Sequence, residues 1–423
     1  MATVRKTRHS KESLLWRLPT EILIDIMKYS PNFSCLWSLI NASQRFHAIF
    51  MGAAQEIVEA VMSDVPACIQ ALMRLVVTAR TAPGSYTDIK DVIKHMSRQK
   101  PYQPWQTQDP QFMHSFVGLA HTTHSVAHAC LDYYVERSLA MKPQCLNSSH
   151  LETLFTPQSL LYSKQQSQGQ PYRPKKTGPA TYVEEQRVLR LLWRLQTIFT
   201  LRFVASELTH WPEEDRTRLL TTDMYSMLYL FHNSSSRCIW SPVWESEQYL
   251  TVIEYLNQVN LMTSSQTLTE NSLANFLLQP FPGMEHKAYH SHCFPPPPPP
   301  SQKVPPGLER YVDINYEIEE IPVGYDFYKT VTTDAKKSPL QNVPFAPYRR
   351  YGFAIWDVNR LTDMGFLVSQ DGMYGLMEQY KLYFTWRSIL TPEEDAQGVV
   401  ILPRFTEQKM GLLSAPEFKY LLR

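Results

Sequence analysis

The sequence LPTEILIDIMKYSPNFSCLWSLINASQRFHAIF, residues 18–50, predicts two short amphipathic helices followed by an aromatic segment. Leu18 and Pro19 followed by Glu21 are typical of a helix start, because proline fits the first turn and an acid suits the positive helix end. The apolar side chains at helical spacing that follow are Ile22, Leu23 and Ile26. A first helix is therefore predicted to begin directly after Leu18 and Pro19.

A second helix is predicted after the break SPNFS at residues 30–34, with Ser34 as its cap. Its apolar side chains at helical spacing are Leu36, Leu39 and Ile40, and the closing segment SQRFHAIF adds Phe46, Ile49 and Phe50. A segment of roughly fifty residues holds too little core to be stable alone, so its apolar surface is expected to pack against a partner.

The order of these residues resembles an F-box, a three-helix module with the pattern Leu-Pro-x-Glu-Ile/Leu, then Leu-x-x-Leu, then Ser-x-Arg-Phe/Trp. The matching positions are Leu18, Pro19, Glu21, Ile22, Leu36, Leu39, Ser43, Arg45 and Phe46. SQRFHAIF is especially similar to filamentous-fungal F-box proteins, and Ser30 departs from the pattern where a leucine often closes the first helix. EEQRVLRLLWRLQ at residues 184–196 and RRYGFAIWDVNRL at residues 349–361 also resemble segments of large fungal F-box-like proteins.

The resemblance implies a non-catalytic adaptor that docks on the Skp adaptor of a cullin-RING ubiquitin ligase and presents an unidentified protein substrate. The residues that it places at the Skp contact are Leu18, Pro19, Ile22, Leu36, Leu39 and Phe46. The alternative is a non-enzymatic helical interaction scaffold unconnected with ubiquitin ligation, because helix capping plus an apolar stripe produces the same spacings in any helical hairpin.

The charge balance argues against two classes of partner. Of 423 residues, 41 are Lys or Arg and 40 are Asp or Glu, which leaves a net charge of +1. Binders of nucleic acids or membrane surfaces usually carry an excess of one sign, so neither partner is expected. With neither a signal-peptide core nor a membrane-length apolar run, the chain is expected to be soluble and cytoplasmic or nuclear.

Motifs for catalysis and cofactor binding are absent from the sequence. It has no phosphate-binding glycine loop, nucleophile elbow, HExxH or dinucleotide fingerprint, so no enzyme activity and no cofactor are expected. The six cysteines, Cys35, Cys68, Cys130, Cys145, Cys238 and Cys293, are too scattered for zinc pairs and are predicted to be reduced thiols.

HSFVGLAHTTHSVAH at residues 114–128 contains the most concentrated group of histidines. On a helix His121, His124 and His128 share one face, with His114 further back, and three imidazoles can hold zinc. Metal sites usually draw ligands from several elements, so a polar, partly exposed helix face is favoured and no metal is expected. The second group, just before the proline run, is predicted to be a loop: His286, His290, His292 and Cys293.

The predicted fold class is mainly α. A disordered basic tail at 1–12 precedes an F-box-like module at 13–52 and a helical body at 53–293. The proline-rich segment 294–307 is a predicted linker, and 308–423 is a mostly helical region with a small sheet.

Helices of the body are indicated by proline starts and apolar periodicity. Proline starts occur at Pro66, in WPEED from Trp211 and in SPVWESE from Ser241. A helix over 184–208 carries one apolar stripe and one basic stripe. The apolar stripe is Val188, Leu192, Leu195, Phe199 and Phe203, and the basic stripe is Arg187, Arg190 and Arg194. The predicted core positions of the next two helices are Leu220, Met224, Met227, Leu228 and Phe231, and Leu250, Ile253, Leu256 and Val259.

In the C-terminal region, strands are predicted at VDINYEIEEI, residues 312–321, and at GVVIL, residues 398–402. FAIWDVNRL at 353–361 and LMEQYKLYFTWRSIL at 376–390 are predicted helices. TPEED predicts a capping box between Thr391 and Glu394 at the start of a further helix.

Overall fold

The structure of the chain is a computed structural model, and it is mainly α-helical, as the sequence predicts. It describes residues 17–97, 109–146, 169–205, 208–222, 226–227, 242–263, 322–334, 340, 343–367 and 376–400. The predictions for the basic tail 1–12, for the histidines at 286–292 with Cys293, for the proline run 294–307 and for a strand at 312–321 lie outside these residues.

Three helices form the N-terminal module. They are α1 (Thr20–Lys28), α2 (Phe33–Ala42) and α3 (Gln44–Ser63). The predicted cap of α2 was wrong by two residues: Asn32, not Ser34, accepts the backbone N–H of Cys35 at 2.8 Å, since the helix begins at Phe33. Ser43 caps α3 by accepting the N–H of Phe46 at 3.2 Å.

Helix α3 runs across the predicted end of the module at residue 52. Ala53, at φ −135° and ψ 24°, kinks the helix at this point. Buried side chains lie on both sides of the kink, among them Phe50 and Ile57. The N-terminal module and the helical body therefore share one helix and one continuous hydrophobic core.

The body begins with α4 (Ala67–Thr81), the 3₁₀ turn Pro83–Ser85, α5 (Ile89–Ser97) and the long helix α6 (Pro110–Leu139). The start predicted at Pro66 is confirmed, since this proline precedes the first residue of α4. The two-residue strands β1 (Gln144–Cys145) and β2 (Gln170–Pro171) pair antiparallel, with Gln144 opposite Pro171. Helices α2 and α3 both pack on α6.

Helix α7 (Tyr182–Val204) lies at the centre of the body, where α4, α6 and a later helix at Pro242–Thr263 pack against it. It opens with a capping box between Thr181 and Glu184. Nearly every side chain of α7 is buried, so it is not the amphipathic surface helix that its two stripes indicate. Phe203, predicted for the core, is 69% exposed near the end of the helix.

The basic stripe of α7 is buried because each arginine meets an acceptor inside the protein. Arg187 donates to the carbonyl oxygen of Ile355 at 2.7 Å. Arg190 and Arg194 both contact the carboxylate of Glu245, at 3.1 and 2.9 Å. Buried charges persist when they are paired in this way, so hydropathy alone could not distinguish this stripe from a solvated one.

Helices α8 (Glu213–Thr221) and α9 (Pro242–Thr263) begin where their proline signals predict. Helix α8 ends at Thr221, before most of the core positions that were predicted for it. The predicted core position Leu220 was wrong, since it is 52% exposed and its neighbour Leu219 is fully buried. Met227, predicted for the core as well, is fully buried. In α9 the predicted core residue Leu256 is fully buried.

The C-terminal region contains α10 (Val323–Lys329), the π-helical turn Thr330–Asp334, α11 (Ala346–Arg349), α12 (Val358–Asp363), α13 (Leu376–Arg387) and α14 (Pro392–Val400). The capping box at the start of α14 is confirmed: the Thr391 N–H donates to Glu394 at 2.8 Å, and the Glu394 N–H donates back at 3.3 Å.

Two predictions for this region were wrong. Residues 398–400 of the predicted strand GVVIL belong to α14, because the helix begun by the capping box continues through them. In FAIWDVNRL the helix begins only at Val358, because Gly352 at φ 78° forms a turn and Asp357 then caps α12. The described sheet is β1–β2 at residues 144–171, although β1 packs on α13.

A cluster of aromatic rings forms the core of the C-terminal region. Trp386 lies 4.8 Å from Tyr348 and 5.0 Å from Phe353 between ring centroids, and Phe366 completes the group.

Across the described residues, no helix combines the length and apolar character needed to cross a membrane. None of the four cysteines in the same part of the chain forms a disulfide.

Candidate functional site

Helix α1 presents apolar side chains to solvent as well as to the core. Leu23 and Met27 are buried under the helix, whereas Ile22 is 45% exposed and Tyr29 is 86% exposed. Ile22 and Tyr29 are seven residues apart, so they lie on the same side of the helix two turns apart. Pro19 is exposed as well, and we call Pro19, Ile22 and Tyr29 the α1 strip. The exposed Asp25 lies between Ile22 and Tyr29 on the same side.

The predicted Skp-contact residues divide into an outer and an inner group. The outer group is exposed or half-buried and consists of Leu18, Pro19, Ile22 and Leu39. In the inner group Leu36 is 0% exposed and Phe46 is 9% exposed, because both belong to the core of the chain. In this conformation Leu36 is covered by the protein itself and does not reach a partner surface.

Two parts of the F-box-like pattern come together in space. The guanidinium of Arg45, from the Ser-x-Arg-Phe part, donates to the carbonyl oxygen of Leu18 at 2.6 Å. This bond fixes the start of α1 on α3 and thereby fixes the position of the α1 strip. Ser30, where the pattern departs, is buried at the end of α1.

Helix α2 packs its buried side on α6 of the same chain. This contact covers part of the apolar surface that the sequence predicts to pack against a partner. Phe33 meets Phe116 edge to face at 5.7 Å between ring centroids. Trp37 contacts His114 at 4.9 Å and stacks on His121 at 5.8 Å. This contact joins the module to the body through aromatic side chains.

The histidine face of α6 is partly exposed, as expected, but its rings contact two other helices. His121 is held against Trp37 of α2, and burial lowers its pKa to about 4. His124 and His128 lie against α7, with ring centroids 4.4 Å apart. The three histidines that share a face in the sequence are therefore divided between two environments.

Glu185 of α7 forms a group with His124 and His128. Its Oε1 is 2.8 Å from Nε2 of His128 and 3.4 Å from Nδ1 of His124. The side chains of both histidines are 14% exposed and that of Glu185 is 3% exposed. Burial lowers the pKa of His124 to about 4, against the opposing effect of the nearby carboxylate.

Comparisons with known proteins gave no match. No family model, no curated protein and no solved structure is similar to this chain.

Glu184, the other acid at the start of α7, forms a buried ion pair with Arg360 of α12. Arg360 contacts both carboxylate oxygens of Glu184 at 2.8–3.0 Å and also donates to the carbonyl oxygen of Pro179. Burial raises the pKa of Glu184 while Arg360 lowers it. The segments 184–196 and 349–361 therefore contact each other through this pair.

The only sequence feature that singled out Glu184 and Glu185 was their position at the start of a predicted helix. Both acids suit the positive end of a helix, and nothing nearby in the sequence indicates a buried partner. Their partners lie 57 residues upstream at His128 and 176 residues downstream at Arg360.

Proposed function

We propose that this chain is a non-catalytic substrate-recruiting adaptor of a Skp-cullin-F-box ubiquitin ligase, and that it docks on the Skp adaptor through the α1 strip. The observation that carries the proposal is the exposure of Ile22 and Tyr29 directly after the Leu18-Pro19 motif. An exposed aromatic beside exposed aliphatic side chains is the composition of a protein-binding patch.

The contact set follows the division of the predicted residues. In this proposal Leu18, Pro19, Ile22 and Leu39 contact the Skp adaptor directly, and so does Tyr29 of the α1 strip. Leu36 and Phe46 act from beneath as part of the core that holds α1 and α2 in place. The remaining helices present an unidentified protein substrate, and neither nucleic acid, membrane nor cofactor takes part.

Replacing Ile22 with aspartate is expected to weaken binding to the Skp adaptor by about a hundredfold. Burying an isoleucine at an interface contributes roughly 1.5–3 kcal/mol, and an uncompensated carboxylate in its place adds a desolvation cost. Stability should change little, because the side chain is 45% exposed in the free chain. Binding of the full chain to purified Skp adaptor, measured by calorimetry, tests this.

Leu220→Asp is the matched control for that measurement. It places the same charge on another exposed leucine, 52% exposed on α8 and outside the F-box-like module. Its affinity should equal that of the unmodified chain. The adaptor proposal is wrong if the unmodified chain shows no binding while an established F-box protein binds under the same conditions.

The second candidate function is a helical interaction scaffold, which the burial of Leu36 favours. Helices α2 and α3 pack on α6 of the same chain, so the hairpin has a structural role without any external partner. A scaffold of this kind predicts no binding to the Skp adaptor, and the measurement above separates the two functions.

A further inference from the structure

The group formed by His124, His128 and Glu185 has a geometry that the histidine spacing alone did not indicate. One ligand atom from each residue lies within 4.8 Å of the other two. In a tetrahedral zinc site with bonds of about 2.0–2.2 Å, neighbouring ligand atoms are about 3.3–3.6 Å apart. The separation of 3.4 Å between Glu185 Oε1 and His124 Nδ1 matches that value. The 2.8 Å between Glu185 Oε1 and His128 Nε2 is a hydrogen-bond distance, which would lengthen when an ion binds between the two atoms.

From this geometry we infer that His124, His128 and Glu185 bind a divalent transition-metal ion of the zinc type between α6 and α7. Imidazole nitrogen and carboxylate oxygen are ligands that zinc takes in proteins. The four-residue separation of the histidines puts both rings on one side of α6, and the carboxylate comes from a second helix. The ligands thus come from two elements, which answers the objection to a site on one helix.

The surroundings of the group resemble those of a built site rather than a chance surface cluster. The side chain of Glu185 is 3% exposed, and each histidine side chain is 14% exposed, so a small opening to solvent remains. Three protein ligands with such an opening leave a fourth position for water, as in open zinc sites. The capping box of Thr181 and Glu184 fixes the first turn of α7, from which Glu185 projects.

His121 is excluded from the ligand set by its position. It is one turn earlier on the same side of α6, but it stacks on Trp37 of α2 and is not part of the group whose ligand atoms lie within 4.8 Å of one another. A bound ion would connect α6 to α7 across 57 residues of sequence and would therefore stabilise the core of the body. This inference does not depend on the proposed adaptor function.

The test uses the full chain, purified without an affinity tag, stripped with a chelator and titrated with Zn²⁺ and separately with Co²⁺. We expect about one equivalent of Zn²⁺ to bind, a melting temperature that rises with Zn²⁺ concentration, and a Co²⁺ absorption spectrum of low-coordinate nitrogen and oxygen ligation. Binding of less than about a tenth of an equivalent would overturn the inference.

Three variants identify the ligands. His124→Gln and Glu185→Gln should each weaken Zn²⁺ binding by about a hundredfold or more, because loss of even an outer partner of a ligand costs about 10–100-fold. His121→Gln is the matched control on the same helix and should retain the affinity of the unmodified chain. Equal losses in His121→Gln and His124→Gln, or none in any variant, would contradict the assignment. If Glu185→Gln fails to fold, the Co²⁺ spectra of the unmodified chain and of His124→Gln decide by themselves.

Discussion

Replacing Arg360 with methionine is expected to lower the free energy of unfolding by about 3–5 kcal/mol, because it leaves the carboxylate of Glu184 buried without its cation. The side chain of Glu184 is 0% exposed and that of Arg360 is 2% exposed. The same substitution removes the guanidinium from the face of Trp356, 4.9 Å from the ring centroid. Denaturant unfolding of the full chain measures the loss.

The control for Arg360→Met is Lys175→Met. Lys175 lies 3.5 Å from Asp363, and the two side chains are 74% and 50% exposed. Exposed pairs of this kind contribute about 0–1 kcal/mol because water already solvates both charges. Similar losses in the two variants would show that burial of the Glu184 pair carries no special weight.

The loss in Arg360→Met should also depend on pH. Burial raises the pKa of Glu184, and without Arg360 the opposing effect disappears, so the pKa rises further. A carboxyl whose pKa is higher in the folded state than in the unfolded state stabilises the fold when protonated, and this contribution is lost as the pH rises through the folded pKa. The deficit relative to the unmodified chain should therefore shrink as the pH falls from about 7 to about 5. A deficit that grows on acidification would contradict this account.

Replacing Leu36 with alanine is expected to lower the free energy of unfolding by about 2–5 kcal/mol, the usual effect of a cavity at a fully buried leucine. Leu36 is 0% exposed in the core beneath α6. Ile22→Ala is the matched comparison in the same module and should cost only about 0.5 kcal/mol, since Ile22 is 45% exposed. Thermal and denaturant unfolding of both variants give the two values.

The same pair of variants separates direct contact from support in the proposed adaptor. Folded Leu36→Ala should retain most of its affinity for the Skp adaptor below its melting temperature, whereas Ile22→Ala should lose affinity while remaining stable. If folded Leu36→Ala loses affinity in addition to stability while Ile22→Ala keeps its affinity, α2 must leave the core when the partner binds.

The sequence by itself determined the helical class and most helix starts. The capping box at Thr391 and the proline before α4 could be predicted because a helix start is encoded by residues three or four positions apart. The Leu18-Pro19 segment and Ile22 remain a predicted site, and the sequence could suggest it because the pattern is local: Leu18 and Pro19 directly precede α1, and Ile22 lies in its first turn.

The tertiary structure alone decided which side of each element is covered. Arg190 and Leu36 are both buried, although one is charged and the other was predicted to face a partner. His124 joins Glu185 while His121 joins Trp37, although the two histidines share one helix face. These outcomes depend on contacts between residues far apart in sequence, such as Glu184 with Arg360, and local periodicity carries no information about which distant side chain neutralises a buried charge.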